Sequence, residues 1–214
     1  MSTQIKICGI TSVEEAKYLN EAKVDYAGFV FFEKSKRNVT IEQAARIMNI
    51  LDPSIRKVAV TVEPDSRLVE QIEDAGFSIL QIHGDVKEQI LAQTHLPIWK
   101  SFNLTDFSNV KEQMNRLHLQ EDKIEGYLLD APSYGSGHTF SWETFQESPE
   151  AEELLLQLKR KTLILAGGLN DQNVGRGIQI FAPDVVDVSS GVEGQKGKEQ
   201  IKIKEFVRKV REHG

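Results

Sequence analysis

One cysteine in 214 residues, Cys8, leaves no partner for an intramolecular disulfide and too few thiolates for a zinc cluster. The thiol is therefore either an inert packing residue or individually reactive. No apolar run is long enough to cross a bilayer, and the N-terminus lacks the basic-then-apolar build of a secretory signal, so a cytoplasmic protein without a membrane partner is expected. Cationic excess is missing as well. The 26 Lys and Arg against 32 Asp and Glu give a formal net charge of −6, which excludes a surface that holds nucleic acid or anionic lipid by general attraction. A local cationic pocket for a small anion remains allowed. No low-complexity tract, Pro/Gly-rich linker or short helical repeat divides the chain, so one domain over residues 1–214 is expected. Nor does an exposed apolar stripe announce an interface, which favours a monomer.

What the chain does have is alternation. Short apolar runs rich in β-branched residues predict strands at Gln4–Cys8, Tyr26–Phe31, Lys57–Val62, Ile79–Ile82, Ile98–Ser101, Gly126–Leu129, Thr162–Ala166 and Val185–Val188. Amphipathic segments between them predict helices at Val13–Asn20, Ile41–Leu51, Asp65–Ala75, Val86–Thr94, Ser108–Leu119, Glu150–Lys159, Asn173–Phe181 and Glu199–Arg211. Thr40 and Asp65 stand where helix caps belong. Eight strand–helix units with nearly continuous apolar strands suit a parallel sheet covered by helices, most economically an α/β protein closed as a (β/α)8 TIM barrel, with an open doubly wound sheet as the alternative. The long irregular stretch "DAPSYGSGHTFSWETFQESPE" after the sixth strand is a candidate lid.

A barrel of this kind does its chemistry at the carboxyl ends of its strands. Those positions collect Cys8, Arg37, His83, Asp130, Gly167, Gly168, Asp187, Ser190 and Gly191. Cys8 has two readings, a small buried hydrophobe or a thiol facing a ligand beside Gly9. Asp130 ends "GYLLD"; a carboxylate there is a cap, a salt-bridge partner or, with the thiol across the same mouth, half of an acid–base pair. "LAGGLN" and "VDVSSGVEG" end the last two strands in small residues whose backbone N–H groups can face an anion, the usual phosphate location in such barrels. Lys34, Lys36 and Arg37 form a possible anion-facing edge. His83 and His138 lack metal-ligand spacing, so no metal is expected. Trp99 and Trp142 either line a pocket or pack.

Taken in order, "KICGIT", "GFVF" followed by "SKR", "QIHG", "LLDA", "LAGGLN" and "VDVSSGVEG" resemble the motifs of the phosphoribosylanthranilate isomerase family of tryptophan biosynthesis, over nearly the whole chain. The resemblance implies a (β/α)8 barrel and an Amadori rearrangement of a phosphorylated small-molecule aminoaldose to the aminoketose, with no cofactor. It further implies Cys8 as general base, Asp130 as general acid, Arg37 facing the anthranilate carboxylate and Asp187 orienting the amine region. Gly167, Gly168, Ser190 and Gly191 would hold the phosphate.

Two stretches depart from the family pattern. "YGSGHTFSW" replaces a glycine-rich "GGTG" and "FDW", making Tyr134 and Ser141 unusual, and "VTVEPD" follows the third strand. A ribulose-phosphate-type epimerase would want metal ligands or paired carboxylates at strand ends. A barrel that only binds a phosphorylated ligand would be expected to lose the thiol or the acid, and both are present.

Overall fold

The computed structural model describes residues 2–103, 110, 111, 114, 123–130, 142 and 149–214. Its strands are β1 (Gln4–Cys8), β2 (Tyr26–Phe31), β3 (Arg56–Val62), β4 (Ile79–His83), β5 (Ile98–Asn103), β6 (Ile124–Asp130), β7 (Thr162–Ala166) and β8 (Val185–Val188). Each pairs in parallel with the next. β1 also pairs with β8, Lys6 opposite Asp187, which closes the barrel and excludes an open sheet.

The core has two shells, as strand periodicity requires. One face of each strand packs against the helices, burying Ile5, Ile7, Phe29 and Leu129. The other points down the barrel axis, where Tyr26, Val58, Val60, Trp99, Leu128 and Ile164 fill the interior. Large side chains of this kind contribute about 2 kcal/mol each on burial. Trp99 therefore packs: it is 1% exposed and its ring lies 5.0 Å from that of Tyr26. Trp142 packs as well, edge-on to Phe181.

Several helix starts follow from local chemistry. Thr40 accepts the Gln43 N–H while the Gln43 side chain accepts the Thr40 N–H, and Ser12 and Glu15 make the same reciprocal pair before Val13–Ala22. Asp65 caps Ser66–Asp74 through the Leu68 N–H. The fourth helix is shorter than expected, Glu88–Gln93, because Lys87 offers no capping oxygen and Thr94 is already extended. Strands β4, β5 and β6 run further than apolar composition suggested; ladder pairing continues through polar residues, with Asn103 opposite Asp130. The remaining described helices are Pro149–Leu158, Val174–Phe181 and Gln200–His213. Of the helix expected at Ser108–Leu119, Val110, Lys111 and Met114 are described and helical; the rest of it lies outside the described residues, as do most of the candidate lid, Tyr134, His138 and Ser141. After β8 comes a hairpin that the sequence reading lacked, β9 (Glu193–Gly194) antiparallel to β10 (Gly197–Lys198).

Candidate active site

Side chains two apart on a strand share a face, so Lys6 and Cys8 both point into the barrel from β1. Lys6 is fully buried and its Nζ lies 2.7 Å from Asp187 Oδ2 on β8. A buried ammonium costs several kcal/mol unless paired, which explains why β8 answers it with a carboxylate at the opposing register position. The Lys6 charge also interacts with the Cys8 thiol two residues on. Room for both comes from β2: a Cβ added to Gly28 would sit 3.0 Å from Cys8 Sγ and 3.2 Å from Lys6 Cε.

The electrostatics of the thiol are a contest. Burial pushes the Cys8 pKa up and the Asp187 charge adds to this, while Lys6 and Lys198 pull it down; the net direction is upward. Burial likewise opposes the charge on Lys6, but Asp187 and Cys8 more than offset it, so Lys6 stays an ammonium above the ordinary lysine range. Asp187 keeps one buried oxygen, Oδ1, without a hydrogen-bond partner among the described residues. That oxygen can accept from a ligand N–H or O–H.

Asp130, the last residue of β6, stands three strands round the barrel from Cys8. Burial, helped by the Asp187 charge, raises its pKa above the ordinary value of 3.8. His83, the last residue of β4, is pushed down to about 4 by burial and by the charges of Lys6 and Lys100, so it is neutral at physiological pH. Its Nε2 lies 3.0 Å from Gln81 Nε2, an amide that also faces inward.

The loops after β7 and β8 complete the rim. Gly167 and Gly168 have φ of 93° and 62°, which residues with a Cβ rarely adopt, and both line the mouth. Ser189 and Ser190 line it from β8, where a 3-10 turn, Ser190–Val192, begins. Gly191 does not line the mouth. A Cβ there would fall 2.0 Å from the Leu169 carbonyl oxygen, so its small size lets the two loops touch.

Cys8, Arg37, Asp130, Gly167, Gly168, Asp187 and Ser190 thus border one cavity of about 340 Å3, within the size range of small-molecule sites. Arg37 arrives there with its Nε and Nη2 already donating to Glu193 Oε1 and Oε2, at 2.5 and 2.9 Å. Lys36 also turns to Glu193, at 3.1 Å. The cationic edge expected from "KSKR" is in this respect answered from within the chain. Sequence reasoning missed Lys6 and Glu193. Lys6 left a usable signal, a lysine in the middle of an apolar strand at the same parity as the thiol; Glu193 left none.

A thiol near a lysine, a buried carboxyl of raised pKa in the same mouth and a glycine–serine rim make up a small-molecule site at the strand ends of a (β/α)8-barrel enzyme. The family description N-(5'-phosphoribosyl)anthranilate (PRA) isomerase matches residues 5–209. The chain is 39% identical over 211 residues to the N-(5'-phosphoribosyl)anthranilate isomerase of Streptococcus gordonii strain Challis, covering 98% of each chain. A monomeric form of the dimeric Thermotoga maritima enzyme superposes with a TM-score of 0.81 at 29% identity, covering 98% and 99% of the two chains. A further structure, in complex with reduced 1-(o-carboxyphenylamino)-1-deoxyribulose 5-phosphate, has a TM-score of 0.79 at 28% identity, over 98% of this chain and 99% of that one. The chain belongs to the N-(5'-phosphoribosyl)anthranilate isomerase family.

Proposed function

We propose that Cys8 and Asp130 divide the proton transfers of the family's isomerisation, the Amadori rearrangement of N-(5-phosphoribosyl)anthranilate to 1-(2-carboxyphenylamino)-1-deoxyribulose 5-phosphate. Asp130 carries the proton that goes to the furanose ring oxygen as the C1–O bond breaks, and the anilino nitrogen supplies the electron pair that forms the iminium. That positive charge acidifies the C2–H bond. Cys8 as thiolate, beside the Lys6 ammonium, removes the C2 proton, and its bonding electrons pass through C1 to the nitrogen. The enolamine then takes a proton at C1 and relaxes to the ketone. C2 is oxidised as C1 is reduced, so the electrons balance within the substrate and the chemistry requires no redox cofactor.

The observation that carries this reading is the convergence of Cys8, Asp130 and Asp187 on one cavity, with Lys6 buried behind them on Asp187 and with Asp187 Oδ1 unpaired among the described residues. Burial raises the pKa of Asp130, which favours its acid form; burial also raises that of Cys8, so its thiolate has to form against burial, and Lys6 and Lys198 are the charges that favour it. In the same reading Asp187 Oδ1 accepts the substrate amine and Arg37 meets the anthranilate carboxylate. Gly167, Gly168 and Ser190 take the phosphate, and Gly191 serves by letting the two loops close together. The whole chain, 1–214, acts as one catalytic unit, in the cytoplasm where a lone thiol stays reduced. A monomer is favoured by the scatter of the exposed large apolar side chains over separate elements, Ile50, Val62, Leu156 and Ile201 among them; light scattering checks it.

The test follows fluorescence loss on freshly generated phosphoribosylanthranilate, with Cys8→Ser and Asp130→Asn variants verified as folded. Both are expected to lose at least about 10²-fold in kcat, the ordinary worth of a positioned acid or base. Undiminished turnover by Cys8→Ser would return that residue to packing and overturn the assignment.

A further inference from the structure

Arg37 comes to the cavity with its orientation already set. A guanidinium carries five N–H donors in a fixed plane. Two of Arg37's are committed to the two oxygens of Glu193, and the hydrogens of Nη1 are outside that pair. The stem is seated too: a Cβ added to Gly9 would lie 2.4 Å from Arg37 Cδ, so the arginine runs directly over the residue that follows the thiol. Arg37 lines the cavity, whereas Glu193 stands behind it.

Glu193 is in turn held more firmly than a surface carboxylate. In the hairpin that follows β8 it sits opposite Lys198, whose Nζ donates to Glu193 Oε1 at 2.8 Å. Lys36 approaches from the other side at 3.1 Å, and Lys202 donates to the Glu193 carbonyl at 2.7 Å. The hairpin is itself anchored. Lys198 Nζ donates to the Ser189 carbonyl and hydroxyl oxygens, Ser189 Oγ donates to the Cys8 carbonyl at 2.9 Å, and the Lys198 N–H donates to Glu15 at 2.8 Å. A chain of bonds therefore runs from the end of β1 through Ser189, Lys198 and Glu193 to Arg37.

Two roles are open to a carboxylate so placed, a plug that an incoming carboxylate must expel or a support that stays. Three cations grip Glu193, and an incoming substrate would replace it on only one of them. Burial opposes its charge, but the bonds to Arg37, Lys198 and Lys36 prevail and hold its carboxyl far below the usual carboxylate range. Expulsion is therefore costly, and support is the reading that the geometry favours.

We infer that Glu193 is a positioning residue that fixes the plane of Arg37 so that its remaining donors meet the substrate's ring carboxylate, and so makes the enzyme selective for aminoaldoses bearing that carboxylate. The inference rests on the assignment of Arg37 to the anthranilate carboxylate. An unsupported arginine would have to be ordered at the moment of binding, and pre-paired geometry removes that cost.

The experiment measures kcat and KM for wild type, Glu193→Gln, Arg37→Ala and the double variant on two substrates, phosphoribosylanthranilate and its decarboxylated analogue made from aniline and ribose 5-phosphate. Product is followed by chromatography. Glu193→Gln is expected to raise KM for the carboxylated substrate about tenfold, in line with a weakened charge-assisted contact, with a much smaller change for the aniline analogue. The double variant is expected to lose no more than Arg37→Ala alone, since both act on one contact. Additive losses in the double variant, an equal KM rise on both substrates, or a loss confined to kcat would each overturn the role of Glu193. If Arg37→Ala itself fails to distinguish the two substrates, the assignment of Arg37 falls instead.

Discussion

Replacing Lys6 by methionine removes the ammonium that pairs with Asp187 while keeping a side chain of similar length. The pair is 2.7 Å apart, Lys6 is fully buried and Asp187 is 7% exposed, with Oδ1 lacking a partner among the described residues. The variant therefore strands a buried carboxylate, which costs about 3–5 kcal/mol. At roughly 2–4 °C per kcal/mol for a domain of this size, Tm is expected to fall by about 10 °C or somewhat more. The sign of the pH dependence follows from the raised pKa of Lys6: its contribution is present below the ordinary lysine value of 10.5 and is lost as pH rises through the higher folded value. The difference between wild type and variant should thus persist through neutral pH and narrow only in alkali. The thiol supplies a second readout. Without Lys6, burial and the Asp187 charge both raise the Cys8 pKa, opposed by Lys198 and Arg37. The midpoint of Cys8 alkylation by iodoacetamide should move to higher pH, and kcat at neutral pH should fall with it. Lys6→Met/Asp187→Asn removes the stranded charge and should regain most of the stability. A Tm for Lys6→Met within about 2 °C of wild type, or an unmoved alkylation midpoint, would refute the reasoning.

Two further outcomes are expected. His83, pushed down to about 4 mainly by burial, should titrate near that value by ring-proton NMR. Because its folded pKa is below the unfolded 6.5, stability should fall as pH drops from about 6.5 to about 4, by on the order of 3 kcal/mol in all, and the urea midpoint of wild type should fall relative to that of His83→Gln across that window. Gly191→Ala puts a methyl group 2.0 Å from the Leu169 carbonyl oxygen, so the loops after β7 and β8 must part. A loss of about 1–3 kcal/mol in stability and weaker inhibition by inorganic phosphate, with a KM rise exceeding the kcat loss, is the expected result; unchanged phosphate inhibition would separate that loop contact from phosphate binding.

The strands were legible because a strand buried on both faces writes itself as a short apolar run, as in "TLILA" and "VVDV". Caps were legible for an equally local reason, since Thr40 and Asp65 bond to backbone only three residues ahead. Strand ends were less so: β5 and β6 continue into Asn103 and Asp130 because a ladder bonds backbone to backbone and is indifferent to side-chain polarity. The candidate site residues Cys8, Asp130 and "LAGGLN" could be found because each sits where an apolar run stops, and a barrel sends all such stops to one rim.

By itself, then, the sequence determined the alternation of strand and helix, the number of barrel strands, and the presence of a thiol, a carboxyl and two small-residue loops at strand ends. Tertiary structure alone decided which charges meet. Lys6 and Asp187 are 181 positions apart, and Arg37 and Glu193 are 156 apart. Each pair comes together because closing β8 onto β1 in one register, Lys6 opposite Asp187, brings the end of the chain against its beginning. Periodicity assigns a side chain to a face, but the energy of a buried charge depends on its partner's distance, and that distance exists only once the barrel is closed.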